Sequence, residues 1–353
     1  MRHFIWIILI VLVFVRYFTT QPTYKDGQKI RITGRVSSEP TRSAFYQNLN
    51  LAGLGISLPQ YPEVRYGETV VVEGIVSDKN LKNPVLVSVS ETKSVFPKIR
   101  NLFLNFYGRN FPQPDAALIS GIVLGAKTSL PKDFWDSLTK TGTAHIVVAS
   151  GMNVTFVAGF LMSVLILFFK RKVAIPAALA GIWFYTALSG FDAPIVRAAI
   201  MGSVAFSAQE LGRLVSAYKV LFLTGLMMLI IVPSWLTDIG FILSFVATLS
   251  LMLFEKKIER LVKFLPGGFK EGFATSLAAQ IGVAPILFVT FGQFNILSPV
   301  INALVLWTIP LIMVIGALAG VIGLIFEPLG RLILYLAYPL TSWFVWVVTI
   351  FNF

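Results

Sequence analysis

The sequence predicts a polytopic α-helical membrane protein with an N-terminal extracytoplasmic small β-barrel domain. Hydrophobic residues make up 56% of the 353 residues and charged residues 13%, about half the charged share of a soluble protein. Several apolar runs after residue 143 are long enough to meet lipid, and a soluble core of this size cannot hold them all. Between residues 20 and 97 polar and apolar residues alternate instead, which is typical of half-buried strands.

The first segment is apolar from residue 4 to 18, after Arg2 and His3. It reads as a signal sequence, but Arg16-Tyr17-Phe18 offers none of the small residues that a cleavage site requires. We therefore predict that residues 1–19 form an uncleaved transmembrane signal anchor.

Residues 20–97 are predicted to form the β domain. Segments 29–36, 48–58, 69–76 and 84–89 are strand candidates separated by Gly, Pro, Asp and Asn. About five short strands fit a small barrel, and the OB-fold, a binder of single-stranded nucleic acid, is one such barrel. Basic and aromatic residues are interleaved here, as strand binding without sequence preference requires; an ordinary solvated β surface is the alternative. The candidates for nucleic-acid contact are Lys29, Arg31, Arg35, Tyr46, Arg65 and Tyr66.

Residues 98–140 are predicted to connect the β domain to the membrane part. Ile99, Leu102, Phe103 and Phe106 fall mostly at helical spacing among basic residues, which indicates an amphipathic helix on the membrane surface. The apolar segment 115–124 is too short to span a bilayer. Its Gly121 lies four residues before Gly125, a spacing that allows close helix packing.

Residues 141–353 are predicted to form the helix bundle, with spans at 144–169, 173–188, 194–208, 220–232, 239–254, 273–289, 296–326 and 332–350. With the anchor this makes about nine spans. Basic residues fall on alternate connections, and basic loops stay cytoplasmic. The N-terminus is therefore expected in the cytoplasm, and the β domain and the C-terminal Phe353 outside it. Much of the net charge of +12 is then explained by basic cytoplasmic loops rather than by a ligand. The long run 296–326 contains Pro310 and is either one span or a hairpin.

The stretch TGTAHIVVASGMNV, residues 141–154, is the most informative part of the chain. It puts His145, Ser150 and Asn153 at the mouth of an apolar run, where polar residues are costly and usually face a bundle interior or a polar path. It closely resembles the "TGTAHILAISGLHV" signature of the ComEC competence family of inner-membrane DNA channels. Asn153 stands where the family has its second His.

Three further segments resemble family elements in the family's order. GFDAPIVRAAIM (190–201) is similar to "G…RA…M", and DIGFILSFVAT (238–248) to "D-x-GFQLSF-x-AT", with Ile242 replacing the usual Gln. Gln280, Pro285, residues 291–294, Ser298-Pro299 and Asn302 are similar to "Q…P…F…N". The resemblance covers roughly residues 115 to 310. The candidates for a translocation path are His145, Ser150, Asn153, Asp192, Arg197, Asp238, Gln280 and Asn302.

The resemblance implies an inner-membrane channel for single-stranded transforming DNA, with an OB-like domain between the first helix and the channel. It implies a single DNA strand and the bilayer as partners, together with a separate nuclease, a DNA receptor and a cytoplasmic helicase. A homo-oligomer is an open alternative. No ATPase motif is present, so we expect an external driving force.

Two other functions remain open from the residues alone. A transporter or integral-membrane enzyme for a small substrate would use His145, Asp192, Arg197 and Asp238, and a degenerate paralogue would be a non-conducting scaffold. Each polar residue also has a structural interpretation. Arg197 snorkels or pairs with Asp192 or Asp238 instead of lining a phosphate path. His145 caps a helix, and Ser150, Asn153 and Gln280 form interhelical hydrogen bonds.

The sequence predicts no metal site and no cofactor. It has no Cys and two His, His3 and His145, which is too few for the usual ligand sets. Many members of the resembled family carry a metallo-β-lactamase-like nuclease domain that needs a His-rich motif. We therefore expect a channel without nuclease or other enzymatic activity.

Overall fold

The computed structural model of the chain describes residues 2–20, 24–42, 45–92, 94–127, 130–148, 150–292 and 295–352; Phe353 lies outside these ranges. The chain divides into two compact units. The first comprises Met1–Asn101 and Leu226–Leu236, and the second comprises Leu102–Gly225 and Thr237–Phe353.

The first unit begins with helix α1 (Arg2–Thr20), at the position of the predicted anchor. Six strands follow where about five were predicted: β1 (Lys29–Arg35), β2 (Thr41–Arg42), β3 (Tyr46–Leu51), β4 (Leu54–Pro59), β5 (Thr69–Ser77) and β6 (Asn80–Ser90). The additional strand is β2, which has only two residues and no alternation of its own. The strands alternate between the core and solvent, as the sequence pattern predicts.

The strands form one sheet in the order β1-β5-β6-β4-β3-β2. Neighbouring strands are antiparallel except β4 and β6, which run parallel. In the described residues no ladder joins β1 to β2, so the sheet is open and is not the closed small barrel that the sequence predicts. The inward side chains form one apolar core, whose most buried members are Leu54, Ile56, Leu58, Val64, Val70 and Val72.

The remaining elements are helical: α2 (Val95–Asn110), α3 (Asp115–Leu124), α4 (Lys132–Lys140), α5 (Ala144–Val147), α6 (Gly151–Phe168), α7 (Arg171–Leu188), α8 (Ala193–Glu210), α9 (Ala217–Ile231), α10 (Ile239–Leu261), α11 (Gly267–Phe291), α12 (Ser298–Val305), α13 (Ile309–Ile325), α14 (Glu327–Tyr335) and α15 (Tyr338–Ile350). A helix therefore stands at every predicted span. Short 3₁₀ turns precede α10 and α13.

The N-terminal half of α2 belongs to the first unit and is held there by a buried ion pair. The Arg100 guanidinium lies 2.6 Å from the Glu39 carboxylate, and both side chains are almost inaccessible to water. The same guanidinium lies over the ring of Tyr66, 5.6 Å from its centroid. Tyr66, a predicted base-stacking residue, is thus engaged by Arg100 and only partly exposed.

The sequence predicts that the apolar face of α2 lies on the membrane surface. In the structure the C-terminal half of α2 packs against α13 instead. Phe103 and Tyr107 are buried against Gly320, where a side chain would collide with both rings. The Tyr107 hydroxyl donates to the Gly316 carbonyl at 2.9 Å. Complete burial raises the pKa of the Tyr107 phenol, which keeps this donor protonated.

Four helical segments of the described chain are long and apolar enough to cross a membrane: Ala144–Phe168, Ile239–Leu261, Gly267–Thr290 and Ser298–Ile325. The pair α14 and α15, bent by 48°, makes a fifth if it counts as one span. The predicted spans at α7, α8 and α9 are helices that do not meet these criteria by themselves. Large apolar side chains such as Leu167, Val289 and Ile325 are exposed on the long helices, as lipid-facing residues would be.

The segment Ser298–Ile325 is continuous over 28 residues, which favours the single-span interpretation of the run 296–326 over the hairpin. It is also the most enclosed of the four, with 44% of its most apolar stretch buried inside the protein, against 11–17% in the others.

Candidate functional site

The predicted signature at residues 141–154 folds as a short helix, α5, followed by a break and the long helix α6. Helix α3 packs directly on α5. A Cβ added to Gly121 of α3 would lie only 2.6 Å from the Val147 carbonyl oxygen of α5. All ten residues of α3 are buried. Helix α3, which is too short to span a bilayer, thus packs against the signature from inside the bundle.

Side chains from three of the resembling segments meet at the N-terminus of α6. We call Ser150, Gly151, Asn153, Arg197 and Phe245 the arginine cluster. A Cβ added to Gly151 would lie 2.7 Å from Nη2 of Arg197, so only glycine allows this approach. The Arg197 guanidinium carbon lies 5.9 Å from the centroid of the Phe245 ring. The signature, α8 and α10 therefore converge on one guanidinium.

Asn153 ties this end of α6 to α3. Its Nδ2 donates to the Ile122 carbonyl at 2.9 Å, and its Oδ1 accepts from the Ser150 hydroxyl at 3.3 Å. The side chain is completely buried. For Asn153 this is the interhelical hydrogen bonding that the sequence offers as its structural interpretation, whereas the Ser150 bond is local to the start of α6.

Arg197 does not pair with Asp192 or Asp238, which was one of its two predicted roles. Asp192 lies 3.9 Å from Lys127, and both side chains are partly exposed. Asp238 caps α10 by accepting from the Phe241 amide at 2.7 Å. Snorkelling is wrong as well, since Arg197 is only 8% exposed. Within the described residues the Arg197 Nε has no hydrogen-bond partner.

A second group of polar side chains surrounds the beginning of α5, and we call it the amide cluster. It contains Gly142, His145, Ser276, Gln280, Asn295, Ser298 and Asn302. The Asn302 Nδ2 donates to Ser276 Oγ at 2.6 Å and to Ser298 Oγ at 3.2 Å. Ser298 Oγ in turn lies 3.5 Å from the Gly142 carbonyl.

The remaining amides of this cluster join α11 to the chain before α5. Gln280 Nε2 donates to the Asn295 carbonyl at 2.9 Å, and Asn295 Nδ2 donates to the Lys140 carbonyl at 2.7 Å. The fourth resembling segment is thereby fastened to the signature, although its residues 293 and 294 lie outside the described ranges. Asn295 is a contact that the sequence pattern does not single out.

His145 stands at the edge of the amide cluster. Its Nδ1 lies 3.0 Å from the Gly142 carbonyl, and the ring is exposed. This geometry is a local turn contact made through Nδ1. Across the described part of the chain, no group of three or more His, Cys, Asp or Glu side chains is arranged to hold a metal ion.

The nucleic-acid candidates of the β domain fall into separate places. Lys29, Arg31 and Arg35 are all exposed on the same face of β1, and Arg31 lies 3.5 Å from Glu73. Tyr46 is exposed at the start of β3. Arg65 lies in the β4–β5 connection, 3.9 Å from Glu63.

Sequence reasoning indicated Phe45 beside Tyr46 as a stacking residue but missed one aromatic residue near them, Tyr61, and two members of the arginine cluster. Phe45 and Tyr61 are 78% and 70% exposed, and the Phe45 carbonyl accepts from the amide of Gln60, next to Tyr61. Gly151 and Phe245 stand inside the quoted motifs, but their roles depend on contacts that no spacing reveals.

Comparison with known proteins finds three proteins that are similar in sequence to this chain. The chain is 28% identical over 247 residues to ComE operon protein 3 of Bacillus subtilis (69% of this chain, 31% of that protein). It is 26% identical over 269 residues to competence protein ComA of Neisseria gonorrhoeae (69% and 36%), and 30% identical over 201 residues to an uncharacterized protein of Aquifex aeolicus (57% and 45%).

The chain thus spans about a third to just under half the length of these relatives. No solved structure matches it. The family model described as "Competence protein" matches residues 122–353, which contain all four resembling segments and both polar clusters. This chain belongs to the competence-protein family.

Proposed function

We propose that this chain forms a membrane path for the inward passage of single-stranded DNA during natural competence. Family membership supports a role in competence. The observation that carries the finer proposal is the convergence of the four resembling segments. The signature contacts Arg197 through Gly151, Arg197 contacts Phe245, and the fourth segment contacts the signature at Gly142. Buried polar groups in apolar helices generally serve a path or a site.

The charge of this convergence fits a polyanion. The arginine cluster contains one buried cation and no carboxylate in the described residues. The two acids that the sequence offers as alternative partners of Arg197, Asp192 and Asp238, are engaged by Lys127 and by the Phe241 amide. A path for a polyanion needs such a positive bias.

We also propose that the β domain is OB-like and receives the strand. If β1 and β2 are one interrupted strand, it pairs with β5 at one end and with β3 at the other. Five strands then form a ring, as in the partly open OB barrel. The basic row Lys29, Arg31 and Arg35 supplies phosphate contacts. Phe45, Tyr46 and Tyr61 supply exposed rings on which bases can stack.

The proposed orientation places the N-terminus in the cytoplasm, and the β domain and C-terminus outside it. The basic connections support it: Lys170 to Lys172 lie between α6 and α7, and five basic residues lie between 256 and 270, around the α10–α11 turn. The chain acts here as a channel rather than an enzyme. Strand cleavage and the driving force then come from a separate nuclease and a cytoplasmic helicase, and a separate receptor delivers the DNA.

DNA uptake in the natural host tests the proposal. We expect a deletion strain to adsorb labelled duplex DNA normally but to internalise none in nuclease-resistant form. His145→Ala, which changes an exposed ring at the edge of the amide cluster, should lower uptake with protein level unchanged. Thr155→Ala, on the exposed side of α6, is the matched control. Normal uptake in the deletion strain would refute the channel role.

A further inference from the structure

Arg197 is a buried cation that has no counter-charge among the described residues. It is 8% exposed, and in the described residues neither an ion pair nor a hydrogen bond engages its guanidinium. The ring of Phe245 covers it at 5.9 Å, which compensates only part of the cost of removing a guanidinium from water. Such a group normally faces an anion.

The guanidinium is aimed at a helix N-terminus that is itself uncapped. Helix α6 has 18 residues, and the side chain of its N-cap Ser150 accepts from no first-turn amide. The Ser150 hydroxyl donates to Asn153 Oδ1 instead, and the Ser150 carbonyl accepts from the Asn153 amide at 3.1 Å. The first-turn amides of a helix carry partial positive charge and lack intrahelical acceptors. Arg197 Nη2 reaches this turn because residue 151 is a glycine.

We propose that Arg197 and the first turn of α6 bind one phosphodiester group of the transported strand, an inference that rests on the proposed function. The two N–H edges of a guanidinium match two phosphate oxygens. Helix N-termini bind the same group through backbone amides. Gly151 determines access, since any larger residue would push the guanidinium away from the turn.

Binding of a fluorescent oligothymidylate to the full chain tests this. The protein is kept in dodecyl maltoside, a detergent without phosphate, and affinity is measured at several salt concentrations. Arg197→Gln should weaken binding roughly tenfold and lower the log–log salt slope by about 0.7, since one phosphate fewer is neutralised. Arg197→Lys should retain the slope, because it retains the charge.

Glycine variants provide the test that does not remove the charge. Gly151→Ala should weaken binding by about the same factor as Arg197→Gln, because its Cβ would meet Nη2. Gly159→Ala in α6 and Gly202→Ala in α8 are the matched controls, since a Cβ at either position meets no atom within 4 Å. Both controls should bind like the wild type.

Three results would overturn the inference. One is unchanged affinity and slope in both Arg197→Gln and Gly151→Ala. Another is equal binding of a methylphosphonate strand, which lacks the backbone charge. The third is loss of copurified phosphatidylglycerol in the variants, by native mass spectrometry, with oligothymidylate binding unchanged; the site would then hold a lipid headgroup. If the deletion strain needs the chain for uptake and these variants take up DNA normally, the inference fails while the proposed function stands.

Discussion

A single amide side chain, Asn153, joins α6 to α3 through one donor bond and holds the N-cap of α6 through one acceptor bond. Its Nδ2 faces the Ile122 carbonyl and its Oδ1 faces the Ser150 hydroxyl. The resembled family has a His at this position. Asn supplies a donor and an acceptor at the same time without titrating, and this is what the two partners require.

Exchanging this amide for a carboxylate should therefore be costly. Asn153→Asp puts an acceptor opposite the Ile122 carbonyl and buries a titratable group. We expect it to lower the free energy of unfolding by about 2–3 kcal/mol, more than Asn153→Ala. Thermal unfolding of the purified protein measures the effect, with the exposed Thr155→Ala expected within about 0.5 kcal/mol of the wild type. Equal stability of the aspartate variant and the wild type would contradict this hydrogen-bond assignment.

The sequence predicted much of the site but not its contacts. His145, Ser150, Asn153 and Arg197 are found through their cost at membrane depth and through motif order. Their partners are not, because Gly151 carries no side chain and Phe245 is one aromatic among many. The alternative in which Arg197 pairs with an aspartate was wrong, since Lys127 and a helix amide engage the acids instead.

The elements were predicted better than their packing. The alternation of polar and apolar residues located the β1 region, and long apolar runs located the helices of the bundle. Both patterns are local in sequence. The apolar face of α2 was assigned to the membrane surface, yet it packs on the small residues of α13. Amphipathicity indicates that the apolar face of a helix is covered. It does not indicate whether lipid or another helix covers it. The parallel pairing of β4 with β6 is non-local and left no trace in the pattern.

The basic row of β1 gives an element-scale prediction. Lys29→Gln, Arg31→Gln and Arg35→Gln together remove three exposed charges from one face of the strand. We expect the log–log salt slope of oligothymidylate binding by the full chain to fall by up to about 2, or 0.7 for each phosphate that is no longer neutralised. The control changes Lys256, Lys257 and Arg260, which are exposed at the end of α10, to Gln. If both triple variants change the slope equally, the row has no special part in binding.

At the scale of the whole molecule, topology depends on the weakest span. Helix α9 has 15 residues, a length of about 22 Å against a hydrocarbon core of about 30 Å. It is apolar but too short to count as a span by itself, yet the basic residues on either side of it alternate as if it crosses. Arg213 lies before α9 and Lys219 lies in its first turn, and the next basic residue, Lys256, comes only near the end of α10.

Reporter fusions decide whether α9 crosses. A reporter active only outside the cytoplasm should work when inserted in the turn Pro233–Thr237 and when fused after Asn352. The same reporter should be silent in the turn between α10 and α11, where the basic residues are held inside. A reporter active only in the cytoplasm should give the inverse pattern at all three sites. If α9 does not cross, all three sites reverse together, and the C-terminus lies in the cytoplasm. If only the C-terminal site reverses, either the run 296–326 is a hairpin or the bent pair α14 and α15 does not cross the membrane.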